Sequence, residues 1–239
     1  MGAKRKARQR QQEQFSNVVD INYYNKKNHV EINPRNEHQE SYMHNLLDRK
    51  KDIVFGIGPA GTGKTMIAVQ VAVKMFKNGQ VDKIVVTRPA VSADEDLGFL
   101  PGTLEQKMAP WTRPIFDTLR EYFSAKDLEG MINEGVLEIA PLAFMRGRTF
   151  KNAFIIADEM QLSTPNQMKM LLTRTGEKSY MAITGDLDQA DRGENNGLLE
   201  FLNKSKDHNS ERIATVYFNK TDIERHPVVE EVLGLYGDS

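Results

Sequence analysis

Gly58-Pro59-Ala60-Gly61-Thr62-Gly63-Lys64-Thr65 matches the phosphate-binding loop pattern G-x-x-x-x-G-K-[ST] at every fixed position. The apolar run from Asp52 to Ile57 predicts a buried strand before the loop, and the apolar spacing from Lys64 to Phe76 predicts a helix after it. An ordinary turn with a capping glycine is disfavoured, because the whole match lies in the strand-to-helix setting that such a loop requires. The sequence therefore predicts a nucleoside triphosphate site.

Each part of this loop has an expected contact with the nucleotide. The glycines let successive backbone N–H groups and the positive end of the following helix converge on the phosphates. Lys64 is expected to reach the β- and γ-phosphates, and the Thr65 hydroxyl is expected to ligate Mg²⁺. All the residues from Gly58 to Thr65 are therefore candidate nucleotide-binding residues, and Thr65 is also a candidate metal ligand.

Composition bounds the remaining possibilities. A chain of 239 residues can bury one substantial core, but it has no room for a second full motor domain. The apolar fraction is 39% and the mean hydropathy is -0.53, and because no apolar run approaches about 18 residues, we expect no membrane span. The absence of cysteine excludes disulfides and thiolate chemistry and suits a cytoplasmic location. The net charge of -1 means that nucleic-acid binding would need a local basic patch.

The amino-terminal segment differs from the rest of the chain. Residues 1–17 are poor in apolar residues, and five of their side chains are cations that precede the first acid, Glu13. We expect a disordered basic tail, which either solubilises the protein or grips phosphates. Residues 18–239 are expected to form the main domain, with 18–50 as an accessory segment and 51–239 as the core.

Alternating runs of hydrophobic strands and helical patterns indicate the fold class. Such an alternation implies a parallel sheet that is covered by helices on both faces, in an α/β nucleotide-binding fold. In the accessory segment, Val18–Tyr24 and His29–Ile32 predict a small hairpin, and Asn36 is expected to cap a short helix. Further strands are predicted at Lys83–Thr87, Val136–Ala140, Ala153–Ala157, Tyr180–Thr184 and Ile213–Phe218, and further helices at Thr103–Phe123, Ala125–Asn133, Thr164–Thr173, Asn195–Ser205 and Pro227–Tyr236.

Two of these strands end in polar residues that suit phosphoryl chemistry. Phe154 to Ala157 leads into Asp158 and Glu159, the form expected of a Walker B element, in which Asp158 supports Mg²⁺ and Glu159 orients or deprotonates water. By itself, an acidic pair after a strand could equally start the next helix. The block Ile183 to Gln189 favours catalysis, because Gln189 could contact the γ-phosphate or the water. Asp186 in this block has a simple alternative as a turn residue.

Seven blocks occur in order along the chain. They are FGIGPAGTGKT at Phe55–Thr65, TRPAV at Thr87–Val91, LGFLPG at Leu97–Gly102, FMRGRTF at Phe144–Phe150, DEMQ at Asp158–Gln161, QMKMLLTR at Gln167–Arg174 and TGDLDQ at Thr184–Gln189. Together they resemble PhoH-family ATPases, relatives of superfamily 1 helicases that keep one RecA-like core. The resemblance implies a three-layer RecA-like P-loop NTPase with a mainly parallel sheet, which binds and hydrolyses ATP. Met160 stands where the family usually has Ala, a change that should spare the carboxylates.

The resemblance also implies roles for residues outside these motifs. In related helicases a glutamine upstream of the loop reads the adenine edge, and Gln39 lies at a suitable distance from the loop. Helicases complete their site with an arginine from a second RecA-like domain. Since only one such domain is expected here, we expect a neighbouring subunit to supply that arginine within a homo-oligomeric ring, a hexamer. The candidate arginines are Arg174, Arg225, Arg148 and Arg146, each of which could instead cap a helix or pair with an acid.

Nucleic acid is expected to meet the segment from Arg88 to Arg113. Its cations and aromatic residues, among them Phe99, Lys107 and Trp111, are the combination that single-strand binding uses, although packing is the favoured role for Trp111. The expected function is an ATPase that acts on RNA or single-stranded DNA as a translocase or remodeller. An ATP-controlled assembly factor for protein partners and a P-loop phosphotransferase remain as alternatives.

Overall fold

The computed structural model describes residues 30–89, 104–190 and 195–224, together with positions 228, 229, 232 and 235; for 104–110 it describes the backbone alone. The basic tail, the first arm of the expected hairpin, Phe99 and Arg225 lie outside the described residues. The described part of the second arm contradicts the hairpin prediction. Val30 and Ile32 are buried in the core, but residues 30–32 form no strand. Their alternation therefore reflects packing of an extended segment rather than strand pairing.

Six strands form one sheet, and the two strands of every neighbouring pair run parallel to each other. The strands are β1 (Ile53–Ile57), β2 (Lys83–Arg88), β3 (Leu137–Pro141), β4 (Ala153–Ala157), β5 (Tyr180–Gly185) and β6 (Ile213–Tyr217). Their order across the sheet is β3-β2-β4-β5-β1-β6, so β5 lies between β1 and β4. The carboxyl ends of β1, β5 and β4 thus meet at one edge.

Helices cover both faces of the sheet. Alternate strand residues contribute to two separate hydrophobic clusters, with Val54 and Ile156 in one and Phe55 and Ile155 in the other. The first cluster includes α1 to α4, and the second includes α5 and α6. The helices are α1 (Glu37–Leu47), α2 (Lys64–Lys77), α3 (Leu104–Arg120), α4 (Ala125–Asn133), α5 (Pro165–Leu172) and α6 (Gly197–Ser205).

Local signals explain where several helices begin. The Asn36 side chain accepts a hydrogen bond from the Gln39 backbone N–H and caps α1, as the sequence predicts. Thr164 caps α5 with a reciprocal bond to Gln167, and Pro165 occupies the first turn, where its missing N–H costs nothing. Short 3-10 helices at Leu142–Met145, Met160–Leu162, Leu187–Gln189 and Lys220–Asp222 follow strand ends and turn the chain back across the sheet.

The predicted fold class is confirmed. The structure has a three-layer α/β architecture with a parallel sheet, consistent with a RecA-like P-loop fold. Each of the six strands lies within one residue of its predicted start and end, because strands buried on both faces read as continuous apolar runs. Among the helices that the structure describes, none has the length and apolar character needed to cross a bilayer.

Candidate functional site

The glycine-rich loop lies between β1 and α2 at the carboxyl edge of the sheet. Gly58 and Gly63 have φ angles of 145° and 79°, which side-chain-bearing residues rarely adopt. A Cβ atom at Gly63 would lie 2.8 Å from Nε2 of Gln39, and one at Gly58 would collide with the Phe218 carbonyl. The loop therefore needs glycine at both positions, for its backbone conformation and for its close packing against α1 and the end of β6.

Lys64 is folded back onto its own loop. Its ammonium group donates to the carbonyls of Gly58 (2.7 Å) and Pro59 (2.6 Å) and to the Thr62 hydroxyl (3.1 Å), so all three N–H donors have partners. Burial lowers the pKa of the Lys64 ammonium, an effect that three nearby carboxylates oppose, that of Asp186 most strongly. The charge is thus held by neutral oxygens and balanced by acids across the cleft.

Asp158 joins the loop to the two strands beside it. One of its carboxylate oxygens, Oδ1, accepts hydrogen bonds from the Thr65 hydroxyl at 2.7 Å and from the Thr184 hydroxyl at 2.5 Å. Asp158 is 8% exposed, and its backbone N–H donates to the Thr87 carbonyl of β2. The structure therefore brings together the two residues, Thr65 and Asp158, that the sequence predicts as Mg²⁺ ligands.

These two side chains fit a magnesium ion chemically. Both offer oxygen atoms, the hard donors that Mg²⁺ prefers, and Mg²⁺ is typically held by one or two carboxylates together with substrate phosphates. No cluster of three or more His, Asp or Glu side chains suited to a metal occurs among the described residues. A metal at this place would therefore depend on the phosphates of the nucleotide for its remaining ligands.

Glu159 lies in an unusual backbone conformation beside Asp158. Its φ angle of 55° is in the left-handed region, which is uncommon for residues other than glycine and is often found at functional sites. Its carboxylate accepts a hydrogen bond of 2.5 Å from Nε2 of Gln161. The conformation directs the chain into the 3-10 helix Met160–Leu162, in which Met160 is fully buried within the cluster that includes α5 and α6.

Gln161 is a site residue that the sequence reasoning missed. It is 1% exposed, and its amide oxygen accepts from the Asp186 backbone N–H at 3.1 Å while its amide nitrogen holds Glu159. Asp186 in turn accepts from the Ala60 N–H of the loop at 3.2 Å and from the Asp188 N–H at 3.0 Å. Asp186 is thus both a turn residue and a contact of the phosphate loop. The only available signal was the polar residue two positions after Glu159.

The cleft formed by these elements includes most of the predicted site. Gln189 also lines it, from the 3-10 helix that follows β5. Among the residues that the structure describes, Lys64 is the one cation of the lining, and no arginine contributes to it. The lining residues are Ala60, Gly61, Gly63, Lys64, Thr65, Met66, Asp158, Glu159, Thr184, Gly185, Asp186 and Gln189.

Gln39 lies against the loop rather than in the cleft. It is fully buried, its amide oxygen accepts from the Arg35 N–H at 2.9 Å, and its amide nitrogen donates to the Thr62 carbonyl at 3.1 Å. These bonds tie α1 to the phosphate loop. An adenine contact would require Gln39 to turn toward the nucleotide and exchange at least one of them.

The candidate arginines are found in three different environments. Arg148 forms a bidentate pair with Glu138, so its charge is already matched. Arg174 donates to the carbonyls of Met170 (3.0 Å) and Arg148 (2.9 Å) at the end of α5. Arg146 is exposed, and Arg225 lies outside the described residues. Arg146 and Arg174 line a shallow depression, and none of its described lining residues also lines the cleft.

Most of the expected nucleic-acid segment, residues 90–103 together with the side chains of 104–110, lies outside the described part of the chain. This includes Phe99 and Lys107. Of the other named residues, Arg88 and Trp111 are half-buried and Arg113 is exposed. The half-buried position of Trp111 fits the packing role that the sequence favoured.

The parallel sheet, the glycine-rich loop between β1 and α2, and the acidic pair after β4 define a P-loop protein of the RecA-like α/β class. The chain belongs to the PhoH-like protein family, whose model matches residues 31–237. This confirms the resemblance that the seven sequence blocks indicated.

Relatives in three bacteria give the extent of this similarity. The chain is 48% identical over 190 residues to a PhoH-like protein of Bacillus subtilis, an alignment that covers 79% of this chain and 59% of the relative. It is 46% identical over 190 residues to a PhoH-like protein of Synechocystis, with 79% and 57% covered. Protein PhoH of Escherichia coli K12 is 41% identical over 206 residues, with 84% and 57% covered. The chain thus spans less than three fifths of the length of these curated relatives.

Proposed function

We propose that this protein hydrolyses ATP with the help of Mg²⁺ and that RNA or single-stranded DNA stimulates the reaction. The observation that carries the proposal is the hydrogen bond between Thr65 and Asp158. It brings the hydroxyl of the phosphate loop into contact with the carboxylate that follows β4. Glu159 follows Asp158 in the chain and lines the same cleft, and we assign it the role of general base.

The side chains of the cleft have separate roles in this proposal. Lys64 exchanges the loop carbonyls for β- and γ-phosphate oxygens, and backbone N–H groups of the loop bind the remaining phosphate oxygens. Bound Mg²⁺, held by Thr65 and Asp158, would neutralise charge on the phosphates. Glu159 takes a proton from water as the water oxygen bonds to the γ-phosphorus and the bond to the β-phosphate oxygen breaks. Gln189 contacts the γ-phosphate or the water.

ATP turnover in the presence and absence of polymer tests this function. We expect the full chain to hydrolyse ATP and poly-RNA or single-stranded DNA to raise the rate several-fold. Glu159→Gln should reduce turnover by roughly 100-fold or more while nucleotide binding persists, because it removes the base and leaves the phosphate loop intact. Turnover that is equal with RNA, with DNA and with no polymer contradicts a motor and favours the assembly factor. Phosphate transfer to a nucleoside would instead identify a phosphotransferase.

We also propose that a neighbouring copy of the chain completes the site, within a hexameric ring. The support is the cleft lining, in which Lys64 is the one cation among the described residues and three carboxylates oppose it. Developing charge on the γ-phosphate calls for an arginine. Arg174 and Arg225 remain the candidates, whereas the pairing of Arg148 with Glu138 disfavours Arg148.

Mixed subunits test the shared site. Arg174→Ala or Arg225→Ala chains still carry an intact loop, and Lys64→Ala chains still carry both arginines, so a mixture should regain activity that neither parent has. The control is each variant assayed alone at the same total protein concentration. Failure of both mixtures to exceed their parents at any ratio removes the main support for a shared site.

A further inference from the structure

A shallow depression on the outer face of α5 differs in character from the nucleotide cleft. It lies between α5 and the segment that follows the 3-10 helix Leu142–Met145. Asn166, Lys169 and Thr173 are exposed and spaced by three and four residues, so they share one face of the helix. Arg146, Asn166, Lys169, Thr173 and Arg174 line the depression, and Phe144 belongs to the 3-10 helix that packs against α5. We call these six residues the basic surface.

Acidic residues are missing from the sequence of this region. No Asp or Glu occurs between Glu138 and Asp158, or between Glu159 and Glu177, although five cations do. Of those five cations, Arg148 alone has an acidic partner among the described residues, namely Glu138. The positive charges of Arg146, Lys169 and Arg174 are therefore not balanced by an acidic partner among the described residues, although the net charge of the chain is -1.

Arg174 is both uncompensated and fixed in position. Its guanidinium donates to the carbonyls of Met170 (3.0 Å) and Arg148 (2.9 Å) and to the Thr173 hydroxyl (3.0 Å), all of them neutral acceptors. Three of its five N–H donors are thus used, and two remain for another molecule. A guanidinium held this way loses little side-chain entropy when it binds an anion.

An exposed aromatic side chain accompanies these cations. Phe144 is 59% exposed and lies two residues before Arg146. Its 3-10 helix is anchored by Leu142 and Met145, which are fully buried, so Phe144 is presented from a fixed support. Cations beside an exposed aromatic ring are the combination that binds single-stranded nucleic acid through phosphate contacts and base stacking.

From these observations we infer that the basic surface binds single-stranded RNA or DNA, with phosphates on Arg146, Lys169 and Arg174 and a base on Phe144. The inference rests on the proposed function, because it names the surface through which the polymer would act. A repeated phosphate backbone fits several separate cations. Arg174 cannot serve both this polymer and the γ-phosphate of a neighbouring copy, so the inference leaves Arg225 as the candidate arginine of the shared site. The surface is also distinct from the segment Arg88 to Arg113 that the sequence favoured.

Fluorescence anisotropy with labelled oligouridine and oligothymidine tests the inference on the full chain. Arg146→Gln combined with Lys169→Gln removes two exposed cations that make no ion pair among the described residues, so the fold should persist. We expect affinity to fall about tenfold and the slope of log K against log salt to shrink by about 1.4, since each cation on a single strand contributes about 0.7. Phe144→Ala should weaken binding several-fold, and Phe144→Trp should preserve it.

A matched double variant distinguishes the loss of cations on this surface from a general loss of positive charge. Arg49→Gln combined with Lys50→Gln also removes two exposed cations, which lie before β1, and it should leave affinity and salt slope unchanged. Equal effects of the two double variants overturn the proposal, as does an unchanged affinity in the Arg146 and Lys169 variant. If that variant instead lowers ATP turnover in a concentration-dependent way with RNA affinity intact, the surface serves contacts between copies and the inference is wrong.

ATP turnover measured without polymer distinguishes failure of the proposed function from failure of this inference alone. If the unmodified chain hydrolyses ATP but binds neither oligonucleotide, the polymer part of the proposed function and this inference both fail, while the ATPase assignment stands. If the unmodified chain binds oligonucleotides but every variant of the basic surface binds equally well, the inference alone fails.

Discussion

The nucleotide cleft and the basic surface hold their cations in opposite ways. In the cleft, Lys64 is 8% exposed, its three donors are bonded to neutral oxygens, and Asp158, Glu159 and Asp186 line the same space. On the basic surface, Arg146 and Lys169 are exposed and have no acidic partner among the described residues.

This difference predicts two kinds of phosphate binding. The cleft has three carboxylates against one ammonium, so a triphosphate must be held there by backbone N–H groups and a metal ion as well as by Lys64. Binding in the cleft should therefore depend on Mg²⁺. Binding at the basic surface should not need Mg²⁺, and because it uses side-chain charge as well as stacking, it should weaken with salt.

The largest expected effect comes from Lys64→Ala. Since Lys64 is the one cation in the described cleft lining, we expect ATP turnover to fall by about 1000-fold or more, with oligonucleotide affinity unchanged. Steady-state ATPase assays and anisotropy on the same preparation measure both. Lys74→Ala, on the same helix but outside the cleft lining, is the control. A loss of oligonucleotide affinity in Lys64→Ala would mean that the two regions are not independent.

Gln161→Ala should have an intermediate effect. The change cuts the link between Glu159 and the Asp186 backbone and leaves a buried N–H without its partner, so we expect kcat to fall about tenfold to 100-fold with little change in KM. Gln161→Glu keeps the size of the side chain but removes the amide donor to Glu159, so it should lower kcat by a similar factor. A rise in KM at constant kcat would assign Gln161 to nucleotide binding instead.

The smallest effect is expected from Glu138→Gln. Hydrogen bonding to Arg148, assisted by Lys83, lowers the pKa of Glu138 from 4.5 to about 2 despite partial burial. A lowered folded-state pKa stabilises the fold above about pH 4.5, and this contribution is lost as the pH falls toward 2. We expect Glu138→Gln to cost about 1 kcal/mol at pH 7, after allowance for solvent screening, and nearly nothing at pH 2.

Urea unfolding across this pH range measures the loss. Asp117→Asn is the control, because the Asp117–Arg120 pair is exposed and should contribute little at any pH.

Glu138→Gln also leaves Arg148 without its acidic partner. Arg148 lies two residues after Arg146 of the basic surface. Glu138→Gln should therefore raise oligonucleotide affinity slightly, and a decrease would place Glu138 in the binding surface itself.

The fold class and the positions of the strands could be predicted from local sequence patterns. The six strands follow from continuous apolar runs, and α1 follows from the capping residue Asn36. Strand order could not be predicted, because parallel neighbours such as β1 and β5 are more than 100 residues apart in the chain. The hairpin prediction failed at Val30 and Ile32 because alternation describes burial on one side and does not require a paired strand.

The site residues could be predicted where a local sequence motif assigns them a role. Lys64, Thr65 and Asp158 follow from the loop and from the acid after an apolar strand, and the structure brings all three together. Gln161 and the second role of Asp186 depend on contacts across the sheet that no local pattern encodes. The sequence left open that Arg148 pairs with an acid, but it could not identify Glu138 as that acid, because the two side chains meet only after folding.

The hydrogen bond from the Ala60 N–H to the Asp186 carboxylate gives the loop an internal substitute for its ligand. A carboxylate occupies one of the amides that a phosphate oxygen would use, so any incoming anion must first displace it. If the loop binds ATP with Mg²⁺ as proposed, the triphosphate offers many other contacts that compensate for this displacement, whereas inorganic phosphate or sulfate offers few. Under that proposal we expect Asp186 to exclude small anions from the loop while nucleotides still bind.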